Sequence, residues 1–398
     1  MKVLILHNDL RVYWKRRIYF LKDFLKSKDI DLYVVELFGK GSPYTFDPYD
    51  NKEVWWNCLF PENRDNELSN FTIRKALFSK LSSIDPDIII AGSIVFYSGA
   101  LGLRWAKNNN KKFIMFDDAK PSNVKRNYFV QQIKNLITHQ IDAFWLPSKD
   151  YDEEYSFLYS KKDIHFFYGY NCIDNNLFKF KQEKRFDHKK IICVARLVPI
   201  KNLENLLKAW QHVEQNTVDD KLIILGEGGL LADLLKLQKE LGLKRVEFLG
   251  SMSNDCIPQH LFNADAFILP SWSESWGLVV NEAMAAGLPV LLSNQVNAAN
   301  TLLKENINGY SFYPDNVEAI GEKLQQFMQL SELEKKEMSK NSLEIISKMN
   351  YENMGSELLT TLLLLQKQIN KKNRLISYLL INLWHGRYNT LGWDAIRV

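Results

Sequence analysis

A chain of 398 residues exceeds the roughly 100–200 residues of one ordinary domain, so a small single module is excluded. With 46% hydrophobic and 25% charged residues, 18 Gly and 11 Pro, the composition also excludes a disordered or collagen-like chain. The formal net charge of +4 is too mild for a nucleic-acid binder, and the positive excess lies in the N-terminal half and in the tail from Lys371 onward.

In chain order, residues 2–6 form a short apolar run, residues 16–28 have helical spacing through Ile18, Leu21, Phe24 and Leu25, and residues 31–37 are apolar again. The strand, helix, strand pattern recurs at 87–91, 96–107 and 112–116, with a further strand at 143–147. Around 168–190 the pattern lapses into a polar stretch rich in Asn, Asp and Lys, which reads as a linker. A second alternation follows: strands at 190–195, 221–225, 245–249, 266–269 and 289–293, and helices at 202–214, 229–241, 257–263, 278–286 and from Val317. Strands alternating with helices predict parallel sheets covered on both faces, which bind ligands beyond the carboxyl ends of their strands.

The opening apolar run is too short for the core of a signal peptide, and no stretch reaches the roughly 18 apolar residues of a membrane span. Residues 358–365 come nearest and are broken by threonines. Cys58, Cys172, Cys193 and Cys256 show no CxxC or His-pair spacing, against zinc and against a disulfide framework. A cytoplasmic, reducing location is expected.

The most informative stretch runs from Pro270 to Val290, PSWSESWGLVVNEAMAAGLPV. It follows a predicted strand and opens a helix, so the amides near Ser275, Trp276, Gly277 and Leu278 are expected as the unpaired donors of a helix N-terminus, suited to a diphosphate. Glu274 precedes that helix and Glu282 lies eight residues on, within roughly 80° of the same face at 3.6 residues per turn. Carboxylates beside phosphate suit sugar hydroxyls better than the phosphate itself. Countercharge is offered by Arg196 and Lys201 at the carboxyl end of the 190–195 strand, where fixed cations stabilise a departing diphosphate without a metal. Singly, each of these charges reads as an ordinary solvated residue; together, their order and spacing point to one site.

Six pieces in order carry a resemblance: RLxxxKN at 196–202, Gly226-Glu-Gly228, Phe248-Leu-Gly250, the PSxxE block reaching Glu282, GLPV from Gly287, and Asn308-Gly309 with Pro314-Asp315. The second half resembles the donor-binding domain of the retaining glycosyltransferases of family 4, also called group 1. The resemblance implies the GT-B fold: two Rossmann-like domains facing across a cleft, with a C-terminal helix returning to the N-terminal domain. The expected boundaries are 1–170 for the acceptor-side domain, 171–189 for the linker, 190–352 for the donor domain and 353–398 for the returning tail. It further implies retaining transfer from a nucleotide diphosphate sugar, UDP being expected, with neither cofactor nor obligatory metal. Arg196 and Lys201 would bind the diphosphate, Glu274 the sugar hydroxyls and Glu282 the ribose. Gly277 and Leu278 would lend amides, and Gly250, Ser251 and Met252 would border the base. Gly226 joins the donor-binding set, with a simple tight turn as its other reading. Trp276 and Trp272 bracket Glu274 and either wall the sugar or pack the loop.

The N-terminal half matches only in layout. Where the family carries a Gly-Gly turn after the first strand, this chain has HNDLRVYWKRR from His7, in which Arg11, Lys15 or Arg16 offer charge or simply begin a basic helix. Where a histidine often follows the strand at 113–116, Asp117 and Asp118 stand here, either to orient or deprotonate the acceptor or to cap the next loop. The family's Gly-Gly-x-x-Glu segment is altered to Gln295-Val-Asn297-Ala-Ala-Asn300. The basic, ring-rich tail with Tyr378, Trp384, Tyr388 and Trp393 reads as core packing, or as contact with an anionic membrane surface holding a lipid-linked acceptor. The expected partners are thus a nucleotide-sugar donor and a glycan or lipid-linked acceptor in surface polysaccharide or glycolipid synthesis, with peripheral attachment to the inner face of the cell membrane and no nucleic acid. A nucleotide-sugar 2-epimerase and a non-catalytic nucleotide-sugar binding subunit are the rival readings.

Overall fold

The computed structural model describes residues 1–10, 13–40, 53–120, 127–159, 164–180, 186, 190–368 and 375–386. The chain forms two compact units, one built on Met1–Tyr170 and the helices from Tyr351 onward, the other on Asn171–Asn350.

The first unit runs β1 (Lys2–His7), α1 (Tyr13–Lys26), β2 (Asp31–Phe38), β3 (Trp56–Phe60), α2 (Asn70–Ile84), β4 (Ile88–Ala91), α3 (Tyr97–Asn108), β5 (Lys112–Phe116), α4 (Tyr128–Thr138), β6 (Ala143–Leu146), α5 (Asp152–Tyr159) and β7 (Phe166–Tyr168). Its seven strands lie in the order β3-β2-β1-β4-β5-β6-β7, all parallel. Every position of β4, β5 and β6 is buried, as a sheet with helices on both faces requires. The strand order reverses between β1 and β4. The loop leaving β1 is not glycine-rich but is pinned by polar side chains. The buried Glu36 of β2 accepts the Leu10 amide at 2.7 Å, and Asn8 Oδ1 accepts the Ser98 amide at 3.1 Å. In α1, Lys15 and Arg16 face solvent while Arg17 is buried; Arg11 lies outside the described residues.

The second unit runs β8 (Lys190–Val194), α6 (Leu203–Asn216), β9 (Lys221–Leu225), α7 (Leu231–Glu240), β10 (Val246–Gly250), α8 (Ile257–Phe262), β11 (Ala266–Leu269), α9 (Leu278–Ala285), β12 (Val290–Ser293), α10 (Asn297–Leu302), β13 (Gly309–Phe312), α11 (Val317–Met328) and α12 (Glu332–Ser347). The parallel sheet has the doubly wound order β10-β9-β8-β11-β12-β13. Leu206, Trp210, Ile268, Leu324 and Phe327 belong to its buried core.

The polar run expected as a linker at 171–189 is, in its described part, fastened into this second unit. Cys172, Ile173 and Phe178 are buried, Asn281 Nδ2 donates to the Asn171 carbonyl at 3.0 Å, and Asn175 Nδ2 donates to the Ile346 and Met349 carbonyls at 3.1 Å each. The Asn175 amide, of the kind that makes a segment look like a linker in sequence, here satisfies two carbonyls around the end of α12.

After the second unit, α13 (Tyr351–Lys367) and α14 (Leu375–Leu383) pack in the first. Tyr351 meets the Phe20 ring at 5.3 Å between centroids, and the backbone at Gly355 approaches Phe20 and Phe24 closely. His165 Nε2 lies 3.2 Å from Thr361 Oγ1, and Trp384 Nε1 donates to the Ile94 carbonyl at 2.7 Å. Of the tail aromatics, Trp384 is thus a packing residue; Tyr388 and Trp393 lie outside the described residues.

Candidate active site

Three loops at the carboxyl ends of β8, β11 and β13 are tied together by one side chain. Asn202, buried and in the left-handed region at φ 56°, donates from Nδ2 to the Pro270 carbonyl at 3.1 Å and to the Pro314 carbonyl at 2.6 Å. The Trp272 amide adds a bond to the Ile200 carbonyl at 2.9 Å. These contacts draw the 199–201 turn against the 270–277 loop, so Lys201 Nζ donates to Glu274 Oε1. Ser271 Oγ donates to the same oxygen at 3.1 Å. The paired side chains expose only 13% and 14% of their surface, a setting in which each charge needs the other or an equivalent partner.

Glu274 does not share a helix face with Glu282, contrary to the phase argument from sequence. It lies in an extended segment four residues before α9, bridged to Val296: its amide donates to the Gln295 carbonyl at 3.1 Å and its carbonyl accepts the Asn297 amide at 3.3 Å. The altered Gln295–Asn300 segment is therefore the backbone partner of this loop, and Asn297 Nδ2 also donates to the Ser275 carbonyl at 3.0 Å. Gly277, at φ 93°, turns the chain into α9, whose first amides, including that of Leu278, have no carbonyl four residues back within the helix. Glu282 is buried within α9.

Arg196 owes its placement to close backbone contact between the β8 and β9 loops. The Leu197 amide donates to the Glu227 carbonyl at 2.8 Å and the Leu230 amide to the Leu197 carbonyl at 3.1 Å. A Cβ on Gly226 would stand 1.9 Å from the Ala195 carbonyl oxygen, and one on Gly228 2.4 Å from that of Leu197. The glycines of this turn are there so that the two loops can touch on either side of Arg196. Gly226 also donates its amide to the Gly250 carbonyl at 2.9 Å, and Glu227 Oε2 accepts Ser251 Oγ at 2.8 Å, bringing the Gly250, Ser251 and Met252 segment to the same strand ends.

Trp276 is 2% exposed and donates from Nε1 to Asn281 Oδ1 at 2.9 Å, which settles its ring as loop packing. Asp117 belongs to the first unit, at the end of β5, where its Oδ1 accepts the Ala119 amide at 3.1 Å in the turn-capping role. Beside it is a cluster that sequence reasoning passed over. His7 stacks on Phe116 at 5.4 Å, Trp14 stacks on Tyr170 at 5.9 Å, and the Gly92 backbone sits against the His7 ring. Burial holds the His7 imidazole below its usual pKa, and burial together with the Asp118 and Asp117 carboxylates pushes the Tyr170 hydroxyl well above its own. The available signal was the position of His7 at the carboxyl end of the first strand.

Among known proteins, residues 174–344 match the family model of glycosyl transferases group 1. The chain is 32% identical over 130 residues to the GDP-mannose-dependent alpha-(1-6)-phosphatidylinositol monomannoside mannosyltransferase of Mycobacterium tuberculosis, covering 31% of this chain and 34% of that one. It is 36% identical over 120 residues to the UDP-Gal:alpha-D-GlcNAc-diphosphoundecaprenol alpha-1,3-galactosyltransferase of Escherichia coli, covering 29% and 30%. The chain thus spans about a third of the length of the curated relatives it matches. It shares the fold of Anabaena HepE, solved in complex with UDP, at a TM-score of 0.70 and 18% identity, covering 91% of this chain and 99% of that one. The likeness to glycosyl transferases group 1 thus lies in the second unit, and the two parallel-sheet units together have the GT-B fold.

Proposed function

We propose that the chain transfers a sugar from a nucleotide diphosphate sugar, a UDP-sugar, to a glycan or lipid-linked acceptor with retention of anomeric configuration and without an obligatory metal. The observation that carries this reading is the Lys201–Glu274 pair, which joins the loop that follows Arg196 to the segment leading into α9. It is a cation and a carboxylate that each gain a better-suited partner when a donor arrives. The diphosphate takes Lys201, Arg196 and the helix amides, and a sugar hydroxyl takes Glu274. Since Glu274 is then engaged with the sugar, the transfer follows a same-face course. The bond from the anomeric carbon to the phosphate oxygen breaks, the acceptor oxygen bonds to that carbon on the same side, and the acceptor proton passes to the departing phosphate. The fixed cations stabilise the charge that develops on that phosphate.

Support for a UDP donor comes from the neighbour solved with UDP and from the galactosyltransferase relative, and support for a lipid-borne acceptor from the names of both curated relatives. Among the described residues no helix is long and apolar enough to cross a membrane, so such an acceptor would be met by peripheral attachment at the inner face. A thermal-shift screen over UDP and GDP sugars tests the reading, since tight donor binding raises apparent stability by mass action. No shift with any of them would overturn it. Formation of a new nucleotide sugar without acceptor would identify an epimerase instead.

A further inference from the structure

The first unit carries two helices whose solvent faces are apolar. In α4 the buried residues are Asn135, Ile137 and Thr138, while Phe129, Ile133 and Leu136 are exposed, so most of its apolar side chains lie on the solvent face, unlike an ordinary soluble amphipathic helix. In α14, Ser377 and Ile381 face inward and Leu375, Leu379 and Leu383 face out. The two helices pack against each other. Phe129 at 76% and Leu383 at 73% exposure show how fully these side chains meet water. A soluble monomer seldom leaves a contiguous apolar patch beyond roughly 300–600 Å² without a use.

Charge says what covers the patch. No acidic residue occurs from Ala119 to Ile141 or from Leu358 to Trp393, whereas Lys125 and Arg126 precede α4 and Lys371, Lys372 and Arg374 precede α14. Behind α14, Arg104 of α3 interacts with Arg74 of α2, with Tyr378 and with His385. Its Nε and Nη1 are buried and make no hydrogen bond to any described residue. A second copy of the chain would bring the same positive sign to the contact and be repelled. A surface with an apolar interior and fixed anionic phosphates complements both features.

We propose that the α4–α14 face is the membrane-docking surface, with its apolar stripes at the acyl boundary and the positive field of this face, to which Arg74 and Arg104 contribute, drawing it to the phosphates of anionic phospholipid. The proposal rests on the preceding reading for why a membrane is visited, and on these helices for where the contact is made.

Flotation of the full chain with vesicles of equal parts phosphatidylcholine and phosphatidylglycerol, compared with phosphatidylcholine alone, tests it. The chain is expected to bind the mixed vesicles about tenfold or more tightly than the neutral ones. The Phe129→Ser/Leu379→Ser double variant, altered only at exposed positions, should lose about tenfold or more of that binding. Leu333→Ser, at an exposed apolar position on α12, should bind as the wild type. Arg74→Gln should lower the preference for phosphatidylglycerol. No vesicle binding by the wild type, or unchanged binding by the double variant, would overturn the proposal. So would a concentration-dependent dimer that the double variant abolishes while vesicles are ignored. Flotation needs neither donor nor acceptor. Vesicle binding without sugar transfer would therefore remove the proposed function and leave the surface; transfer to a soluble acceptor by a chain that ignores vesicles would do the reverse.

Discussion

Lys201 and Glu274 stand 73 positions apart in the chain, yet the ammonium of the first donates to the carboxylate of the second where neither is freely solvated. The pairing depends on Asn202, whose single amide bonds the loops after β11 and β13. If the pair is the resting state of a donor site, Lys201→Ala should lower kcat by about 10²–10³. Glu274→Gln should also lower activity, and the double variant should fall little below the worse single one, because the two act as a unit. A merely structural pair would give the opposite result: reduced thermal stability with kcat unchanged. Steady-state kinetics and melting curves on the same three proteins decide between them.

How much of this was legible in the sequence differs between the two units. In the second, the strand and helix periods and the order of the charged residues indicate the sheet and the loops that carry the site. What sequence could not supply was the three-dimensional tie through Asn202, or the fate of Trp276, whose ring packs inward because Asn281 offers its indole a buried acceptor. The expected shared helix face of Glu274 and Glu282 failed because the segment before α9 pairs with Val296 rather than extending the helix. In the first unit, the edge strand β3 is short and half-buried, a weak period-2 signal, and went unread. So did α4, where Phe129, Ile133 and Leu136 face solvent and Ile137 is the apolar residue that turns inward, so that its periodicity says little about the core.

Three histidines of the first unit titrate below their ordinary value, with burial the largest cause at each. At His7 and His165 nearby acidic or backbone groups oppose the effect, while at His385 Arg104 and Arg74 add to it. The unfolded chain therefore binds more protons than the folded one once pH falls below the unfolded value of 6.5, so stability should decline from there downward. Carboxylates such as Asp31 and Asp85, held below their usual 3.8 by lysine partners, lose their contribution only at lower pH. Urea midpoints at pH 7.5, 6 and 5 should fall in order, and His7→Asn should flatten the slope. A flat wild-type profile across that range would contradict the burial of these rings.

Thiol reactivity should separate the cysteines by environment. Burial pushes Cys193 up to about 12, with Lys201 opposing and Glu274 adding to the effect, whereas Cys256 is exposed. Since the thiolate is the nucleophile, maleimide at pH 8 should label Cys256 rapidly and leave Cys193 and the buried Cys172 unmodified until the chain unfolds. Peptide mapping after brief labelling reads this directly, and early labelling of Cys193 would show that the buried strand β8 near Lys201 opens in solution.

The glycine turn after β9 offers the sharpest test of how Arg196 is held. Gly226 has φ 144°, and an added Cβ would lie 1.9 Å from the Ala195 carbonyl oxygen, which is backbone and cannot swing aside. Gly229, three residues on in the same connection, has nothing within 4 Å of such a Cβ. Gly226→Ala should therefore cost roughly 1–3 kcal/mol and push the β8 loop away from its position. The loss of donor affinity should then exceed what the stability change alone accounts for, because Arg196 moves with that loop. Gly229→Ala should leave both stability and donor binding near wild type. Equal behaviour of the two variants in urea unfolding and in titration with UDP would mean that the contact between the two loops does not position the arginine.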